Sequence, residues 1–238
     1  MENESLVMQI GSTKWKHVIY DGAKDLDIEI DRGKIDQFAI HASELLKWSQ
    51  KTNLTAISDP LEIAVKHFLD SIAPARFISP NTSLLDVGSG GGFPGIPLKI
   101  MIPSLSVTLI DASRKKVSFL KHVIRRLDLI NIEACHVRAQ DLSKDCGVHT
   151  AYDVIISRAL SSMVNFVQMS LPLLATHGDI MAMKGKLTDK EIESARSLIE
   201  KPRDIQENRM SSFNMVVKKY RLPYLNSQRS LVIIKNVP

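Results

Sequence analysis

A glycine-rich segment that follows an apolar strand is the part of the sequence best suited to bind a ligand. In LLDVGSGGGFPGIPL, residues 84–98, Asp86 is followed by Gly88 and by the run Gly90 to Gly92. Glycines allow a tight turn and leave room for a ligand to approach the backbone. In a parallel sheet, cofactors bind at the carboxyl ends of strands, where such a turn lies. The spacing therefore predicts a cofactor site that includes Gly88 and Gly90.

Three classes of ligand compete for this turn. A Walker-type phosphate loop needs Lys and Ser or Thr after its last glycine, where this chain has Phe93 and Pro94. A dinucleotide fingerprint read from Gly88 places Phe93 at the third glycine, and one read from Gly90 begins too late after the strand. S-adenosylmethionine has no phosphates, and an acid followed by Gly-x-Gly suits its nucleoside and methionine tail. S-adenosylmethionine is therefore favoured over a nicotinamide dinucleotide.

Asp111 is the second candidate cofactor residue. It ends the second predicted strand, where a carboxylate can accept hydrogen bonds from both hydroxyls of a ribose. The same carboxylate can also cap the helix that begins near Lys115. An acid at this position suits both cofactors, so it predicts a nucleoside site without distinguishing them.

The elements that must position these residues predict an α/β fold. Short runs rich in β-branched residues alternate with helical patterns, which indicates a doubly wound, Rossmann-like and mostly parallel sheet with helices on both faces. The predicted strands are 83–87, 106–110, 132–137, 152–157 and 179–184, and the predicted helices are 96–101, 115–127, 163–173 and 188–199. Two further runs, 213–221 and 230–235, have no helix between them and predict a C-terminal antiparallel hairpin.

The chain divides into three predicted parts. Residues 1–34 show no clean apolar period and are expected to form a mobile extension. Residues 35–80 contain two amphipathic helical patterns, the second of which begins at Asp59-Pro60, and form a helical segment packed on the main domain. Residues 81–238 form the α/β domain, which carries the predicted cofactor site.

Composition limits the class of protein. The chain has 238 residues and a formal net charge of +5, which favours an anionic partner. It contains no stretch of about 20 apolar residues and no cationic start followed by an apolar core, so a cytoplasmic protein without a membrane span is expected. Cys146 and His149 lack a second pair of ligands for zinc, and no metal site is predicted.

Several motifs outside the glycine turn carry a family resemblance. They are NLTAI at 53–57, KHFLDS at 66–71, GFPGIPL at 92–98, SRA at 157–159 and MKG at 183–185. Together they resemble the RsmG family, also called glucose-inhibited division protein B, from about Ile35 to the C-terminus. The resemblance implies a methyltransferase domain at 81–238 that uses S-adenosylmethionine to methylate N7 of one guanine in 16S ribosomal RNA. It also implies that the partner is 16S ribosomal RNA or a small-subunit particle. We expect a monomer.

The resemblance also carries over site residues by position. The implied cofactor contacts are Gly88, Phe93, the pair Ala139–Gln140, and Arg158. Gln140 departs from the family pattern, because many members have an acid there.

The implied reaction needs no general base. Guanine N7 has a free lone pair and no proton, and the methyl donor is already activated, so the enzyme mainly has to align the two. Arg158, directly after the fourth strand, is a candidate for contact with cofactor or RNA. Lys184, at the end of the fifth strand, is a candidate for contact with guanine O6 or a phosphate. His67 is interpreted as a structural hydrogen-bonding residue.

A basic run provides a candidate RNA surface. Residues 114–126 contain six Lys or Arg and no acid, and Arg114, Lys121 and Arg125 recur near helical spacing. They can follow a phosphate backbone or simply form a solvated helix face. The main alternative function is that of a non-catalytic RNA-binding or ribosome-assembly protein that retains the cofactor fold.

Overall fold

One seven-stranded sheet organises the chain. The computed structural model describes residues 8–138, 151–158, 162–200 and 212–237. The strands are β1 (Ser83–Val87), β2 (Ser106–Asp111), β3 (Ile132–His136), β4 (Tyr152–Arg158), β5 (Leu174–Lys184), β6 (Ser212–Arg221) and β7 (Gln228–Val237). Their order in the sheet is β3-β2-β1-β4-β5-β7-β6.

The strand directions confirm the predicted doubly wound sheet. Strands β1 to β5 pair in parallel, whereas β7 lies antiparallel between β5 and β6. The predicted C-terminal hairpin is thus confirmed. The carboxyl ends of β1, β2, β4 and β5 share one edge with the turn between β6 and β7, since Lys184 pairs with Ser230 and Arg221 pairs with Gln228.

Helices cover both faces of the sheet. They are α1 (Thr13–Asp25), α2 (Arg32–Thr52), α3 (Pro60–Glu62), α4 (Asp70–Ile72), α5 (Gly95–Met101), α6 (Arg114–Arg126), α7 (Met163–Ser170) and α8 (Asp189–Ile199). Side chains of α1, α2, α5 and α6 form one core with one sheet face, and those of α7 and α8 form a second core with the other. No helix within the described ranges is long and apolar enough to cross a membrane.

The structure differs from the predicted N-terminal extension. Residues 13–25 form α1, in which Trp15 is fully buried and its indole N–H donates to the carbonyl of Pro60 at 3.0 Å. The buried face of α1 includes Gly22, which packs closely on Leu69. Without Gly22, the apolar residues of α1 do not form a complete helical period. Helix α2 begins at Arg32, so the predicted boundary between residues 34 and 35 falls inside a helix.

The second helical pattern contains an irregularity that the sequence does not indicate. Asp59 caps α3 by accepting from the backbone N–H of Glu62 at 2.8 Å, as the sequence predicts. A π-helix follows at Ile63–Leu69 and continues into α4. The Lys66 carbonyl and the His67 ring of this π-helix contact Arg158, at the carboxyl end of β4.

Candidate functional site

Asp86 shapes the turn between β1 and α5 from inside the core. Its carboxylate Oδ2 accepts from the backbone N–H of Gly95 at 2.9 Å, and its own carbonyl accepts from the Ser89 hydroxyl at 3.0 Å. The other carboxylate oxygen, Oδ1, is buried without a hydrogen-bond partner among the described residues. Burial raises the pKa of Asp86 to about 7, although the Gly95 N–H opposes this rise.

Gly88 and Gly90 form the open side of the turn. Both have positive φ angles, +74° and +56°, a region that glycine adopts without strain. A Cβ on Gly88 would meet no heavy atom within 4 Å, and one on Gly90 would meet only the Gly88 carbonyl oxygen, at 3.8 Å. The predicted cofactor residues thus line a space that a side chain would fill.

Gly91 and Gly92 form the closed side, against α2. A Cβ on Gly91 would lie 2.8 Å from Leu45 Cδ1, and one on Gly92 would lie 3.3 Å from His41 Cε1. The turn therefore separates a ligand-accessible side from a side packed on an N-terminal helix.

Asp111 lies beside the open side, as the sequence predicts. Its Oδ2 accepts from the backbone N–H of Gly90 at 3.0 Å, and its Oδ1 accepts from that of Ser113 at 2.8 Å. Each carboxylate oxygen keeps a second lone pair, so both can still accept from a ribose hydroxyl. Ser113 is the residue that precedes α6, and no described hydrogen bond joins the Asp111 carboxylate to α6 itself.

Phe93 packs among aromatic rings of the N-terminal helices. The rings of His41 and His67 stack on it, with centroid distances of 4.8 and 4.6 Å, and Phe68 meets it edge-on at 5.4 Å. Only 4% of Phe93 is exposed. Its main role in this structure is to join the glycine turn to the N-terminal helices.

Arg158 connects β4 to the π-helix. One guanidinium N–H donates to the carbonyl of Lys66 at 2.7 Å, and another lies 3.3 Å from His67 Nδ1. The guanidinium carbon also lies 5.0 Å from the centre of the Phe93 ring. The predicted residues Arg158 and Phe93 thus come together, and the described hydrogen bonds of Arg158 go to the helical segment.

His67 has the structural role that the sequence predicts. Because Arg158 can only donate, His67 Nδ1 is the acceptor, and His67 Nε2–H donates to the Thr55 hydroxyl at 2.9 Å. Burial, with a smaller contribution from the charge of Arg158, lowers the pKa of His67 to about 3. The ring is therefore neutral near pH 7.

Sequence reasoning missed a charged cluster centred on Asp70. Its carboxylate accepts from the Tyr220 hydroxyl at 2.8 Å and lies 3.5 Å from Arg229 Nε and 3.8 Å from an Arg158 nitrogen. This contact fixes the C-terminal hairpin to α4. The signal was weak, because Tyr220 lies near the end of one predicted strand and Arg229 lies in the predicted connection just before the next.

Lys184, at the end of β5, is held by an acid of α8. The ammonium group of Lys184 pairs with Glu191 at 2.8 Å, and Glu191 also completes the capping box of α8. Ala139, Gln140, Cys146 and His149 lie outside the described residues.

The basic run lies on an exposed helix face. Arg114, Lys121 and Arg125 are exposed on α6, and they form no ion pair within the described ranges. Glu44 on α2, which contacts His122 of α6 at 2.8 Å, also accepts from Lys47 at 2.9 Å. Among the described residues, the cationic charge of α6 is therefore available to a partner.

Comparison with solved structures supports the fold. The chain is similar to a SAM-dependent methyltransferase from Aquifex aeolicus (TM-score 0.54, 16% identity, 82% of this chain and 98% of that chain). It is also similar to TYW2 from M. jannaschii in complex with AdoMet (TM-score 0.51, 17% identity, 70% of this chain and 74% of that chain). The chain thus shares its fold with these two proteins.

Comparison of sequences gives the family. The family model described as rRNA small subunit methyltransferase G matches residues 34–219. A protein named Ribosomal RNA small subunit methyltransferase G from Geobacter sulfurreducens is 40% identical over 91% of this chain and 95% of its own length. One of the same name from a Thermoanaerobacter species is 37% identical over 100% of this chain and 92% of its own length. The chain therefore belongs to the rRNA small subunit methyltransferase G family.

Proposed function

We propose that this protein transfers the methyl group of S-adenosylmethionine to N7 of a guanine in 16S ribosomal RNA. The observation that carries the proposal is the open space at Gly88, which lies beside the Asp111 carboxylate at the edge where β1 and β2 end. Family membership supports both the cofactor and the class of RNA.

The residues around the open space fit this cofactor. Asp111 would accept from the ribose hydroxyls, and the backbone at Gly88 and Gly90 would lie against the nucleoside and the methionine tail. When bound, S-adenosylmethionine supplies an activated methyl group on its sulfonium. A dinucleotide fits less well, because the bulky Phe93 stands where the third glycine of its fingerprint belongs.

The chain supplies alignment rather than proton transfer. His67 uses both ring nitrogens in structural hydrogen bonds, and Asp86 is fully buried beneath the turn. Guanine N7 needs no base, so a site that aligns the reactants and excludes water is sufficient. Such positioning lowers a barrier by roughly 7–11 kcal/mol.

The RNA partner is supported by the charge of α6. Exposed cations without carboxylate partners attract phosphates. N7 of a paired guanine faces the deep major groove of an RNA helix, which side chains reach poorly. We therefore propose an unpaired or splayed-out guanine in 16S ribosomal RNA, free or in a small-subunit particle, as the substrate.

Methylation mapping tests this function. Purified protein is incubated with S-adenosylmethionine and either 16S ribosomal RNA, small subunits or a short duplex, and the RNA is then treated with borohydride and aniline. Cleavage at one guanine in the first two substrates, with little in the duplex, is expected. Modification of a ribose oxygen or an exocyclic amine would contradict the mechanism without a base. Binding of RNA without methylation would favour the non-catalytic alternative.

A further inference from the structure

His41 of α2 reaches directly into the glycine turn. Its Nε2 lies 2.8 Å from the carbonyl oxygen of Gly91, which is 50 residues away in the sequence. A carbonyl can only accept, so Nε2 carries the proton and donates. Burial lowers the pKa of His41 to about 4, which keeps the fully buried ring neutral near pH 7.

The carbonyl of Gly91 depends on this contact. The backbone hydrogen bonds of the turn run from Gly92 and Phe93 to the Ser89 carbonyl, and no described backbone hydrogen bond uses the Gly91 carbonyl. A buried carbonyl without a donor costs about 1–3 kcal/mol. Gly90, Gly91 and Gly92 have no side chains to restrict the peptide, so a donor from outside the turn is needed to fix it.

The rest of α2 packs on the same side of the turn. The His41 ring stacks on Phe93 at 4.8 Å, and its Cε1 would lie 3.3 Å from a Cβ on Gly92. Leu45, one helical turn later, contacts Gly91. The opposite side, at Gly88, is open, so α2 supports the back of the turn whose front would receive the cofactor.

We propose that His41 is a positioning residue for the cofactor: its hydrogen bond to Gly91 holds the glycine turn in the conformation that binds S-adenosylmethionine. This inference rests on the proposed function. Without the hydrogen bond, the Gly90–Gly91–Gly92 backbone samples other conformations, and cofactor binding has to select one of them. Affinity for the cofactor then falls, while the rate at saturating cofactor is unchanged.

His41→Gln and His41→Asn form a matched pair that tests this role. Both remove the ring and its stacking, but only the longer glutamine amide reaches the position of Nε2. We measure the Kd for S-adenosylmethionine by calorimetry, the urea unfolding midpoint, and KM for the cofactor separately from kcat. Glutamine should bind within about threefold of the wild type and asparagine about tenfold more weakly than glutamine, with equal kcat. Equal cofactor affinity in the two variants would overturn the proposal.

Two further measurements keep the outcomes distinct. If the wild-type protein itself fails to bind S-adenosylmethionine, the proposed function fails rather than the role of His41. NMR of wild-type protein labelled with ¹⁵N-histidine tests the contact without any substitution. A protonated Nε2 whose signal shifts on saturation with S-adenosylmethionine is expected, and a signal unaffected by the cofactor would overturn the proposal.

Discussion

At the scale of single residues, the site combines a fully buried acid, Asp86, with two buried histidines. Asp86 is fully buried beneath the glycine turn, and burial raises its pKa to about 7. His41 and His67 both stack on Phe93, and burial lowers their pKa values to about 4 and about 3. The raised pKa of Asp86 and the lowered pKa values of the histidines change the free energy of unfolding with pH in opposite directions.

The first prediction concerns that pH dependence. Between pH 3.8 and 7 the folded protein holds a proton on Asp86 that the unfolded chain has lost, so Asp86 makes stability fall as pH rises. The two histidines make stability rise with pH up to about 6.5. Between pH 4 and 7, the free energy of unfolding of Asp86→Asn should therefore rise more steeply than that of the wild type. The additional rise is on the order of 4 kcal/mol at most. Urea unfolding at several pH values measures this, and parallel curves for the two proteins would contradict it.

The second prediction concerns Gly88. Gly88→Val places a branched side chain in the open space and at a φ of +74°, so binding of S-adenosylmethionine should fall by at least about 100-fold, or roughly 2.7 kcal/mol. Calorimetry with S-adenosylmethionine, S-adenosylhomocysteine and NAD measures it. Gly33→Val, on the exposed start of α2, is the control and should bind the cofactor normally. If Gly88→Val binds S-adenosylmethionine like the wild type, the cofactor binds elsewhere.

At the scale of elements, α6 extends from the cofactor site to the surface. It begins three residues after Asp111, and Arg114 to Arg125 spans about 16 Å along the helix. Its cations therefore form a stripe that starts next to the predicted ribose site. RNA that follows this stripe would arrive at the edge of the sheet where we propose that the methyl group is transferred.

The third prediction tests that stripe. Reversing Lys121 and Arg125 to Glu should weaken RNA binding and lower the slope of log K against log salt by about 2, because two phosphate contacts are lost. Cofactor binding should be unchanged. Reversing Lys14 and Lys24, which are exposed on α1, is the control with the same change in net charge. Equal losses in both double variants would mean that only net charge matters.

At the scale of the whole molecule, the local patterns predicted the sheet well. Each predicted strand of the α/β domain overlaps a strand of the structure, because strand and helix periods differ clearly there. The largest difference is at β5, which begins five residues before its predicted start. Gly88 and Asp111 were predicted for the same reason, since the ends of parallel strands meet at one edge. Contacts between distant segments were not predictable. His41 has the spacing of an ordinary core residue, and the partners of Asp70 lie up to 159 residues away along the chain.

The fourth prediction concerns the N-terminal helix that the sequence pattern did not indicate. Trp15 is fully buried and bonds Pro60, so Trp15→Ala should lower the free energy of unfolding by about 3–5 kcal/mol. Tyr20 lies on the same helix with 51% of its surface exposed, and Tyr20→Ala should change stability by less than about 0.5 kcal/mol. Urea denaturation compares the two. Equal small effects would mean that α1 contributes little to the fold.

One side of the glycine turn is open and the other is packed on α2. This difference determines how a pooled variant library of this chain would behave. Gly92→Ala combines a φ of +89° with a Cβ 2.6 Å from Ile96, so cells should accumulate less folded protein. Gly88→Ala meets no neighbouring atom, so its abundance should fall far less while methylation is lost. A screen that scores only ribosome methylation would merge the two variants, whereas one that also counts protein per cell would separate them. Two glycines four residues apart in one motif would then fall into different phenotypic classes, and equal abundance of the two variants would contradict this division.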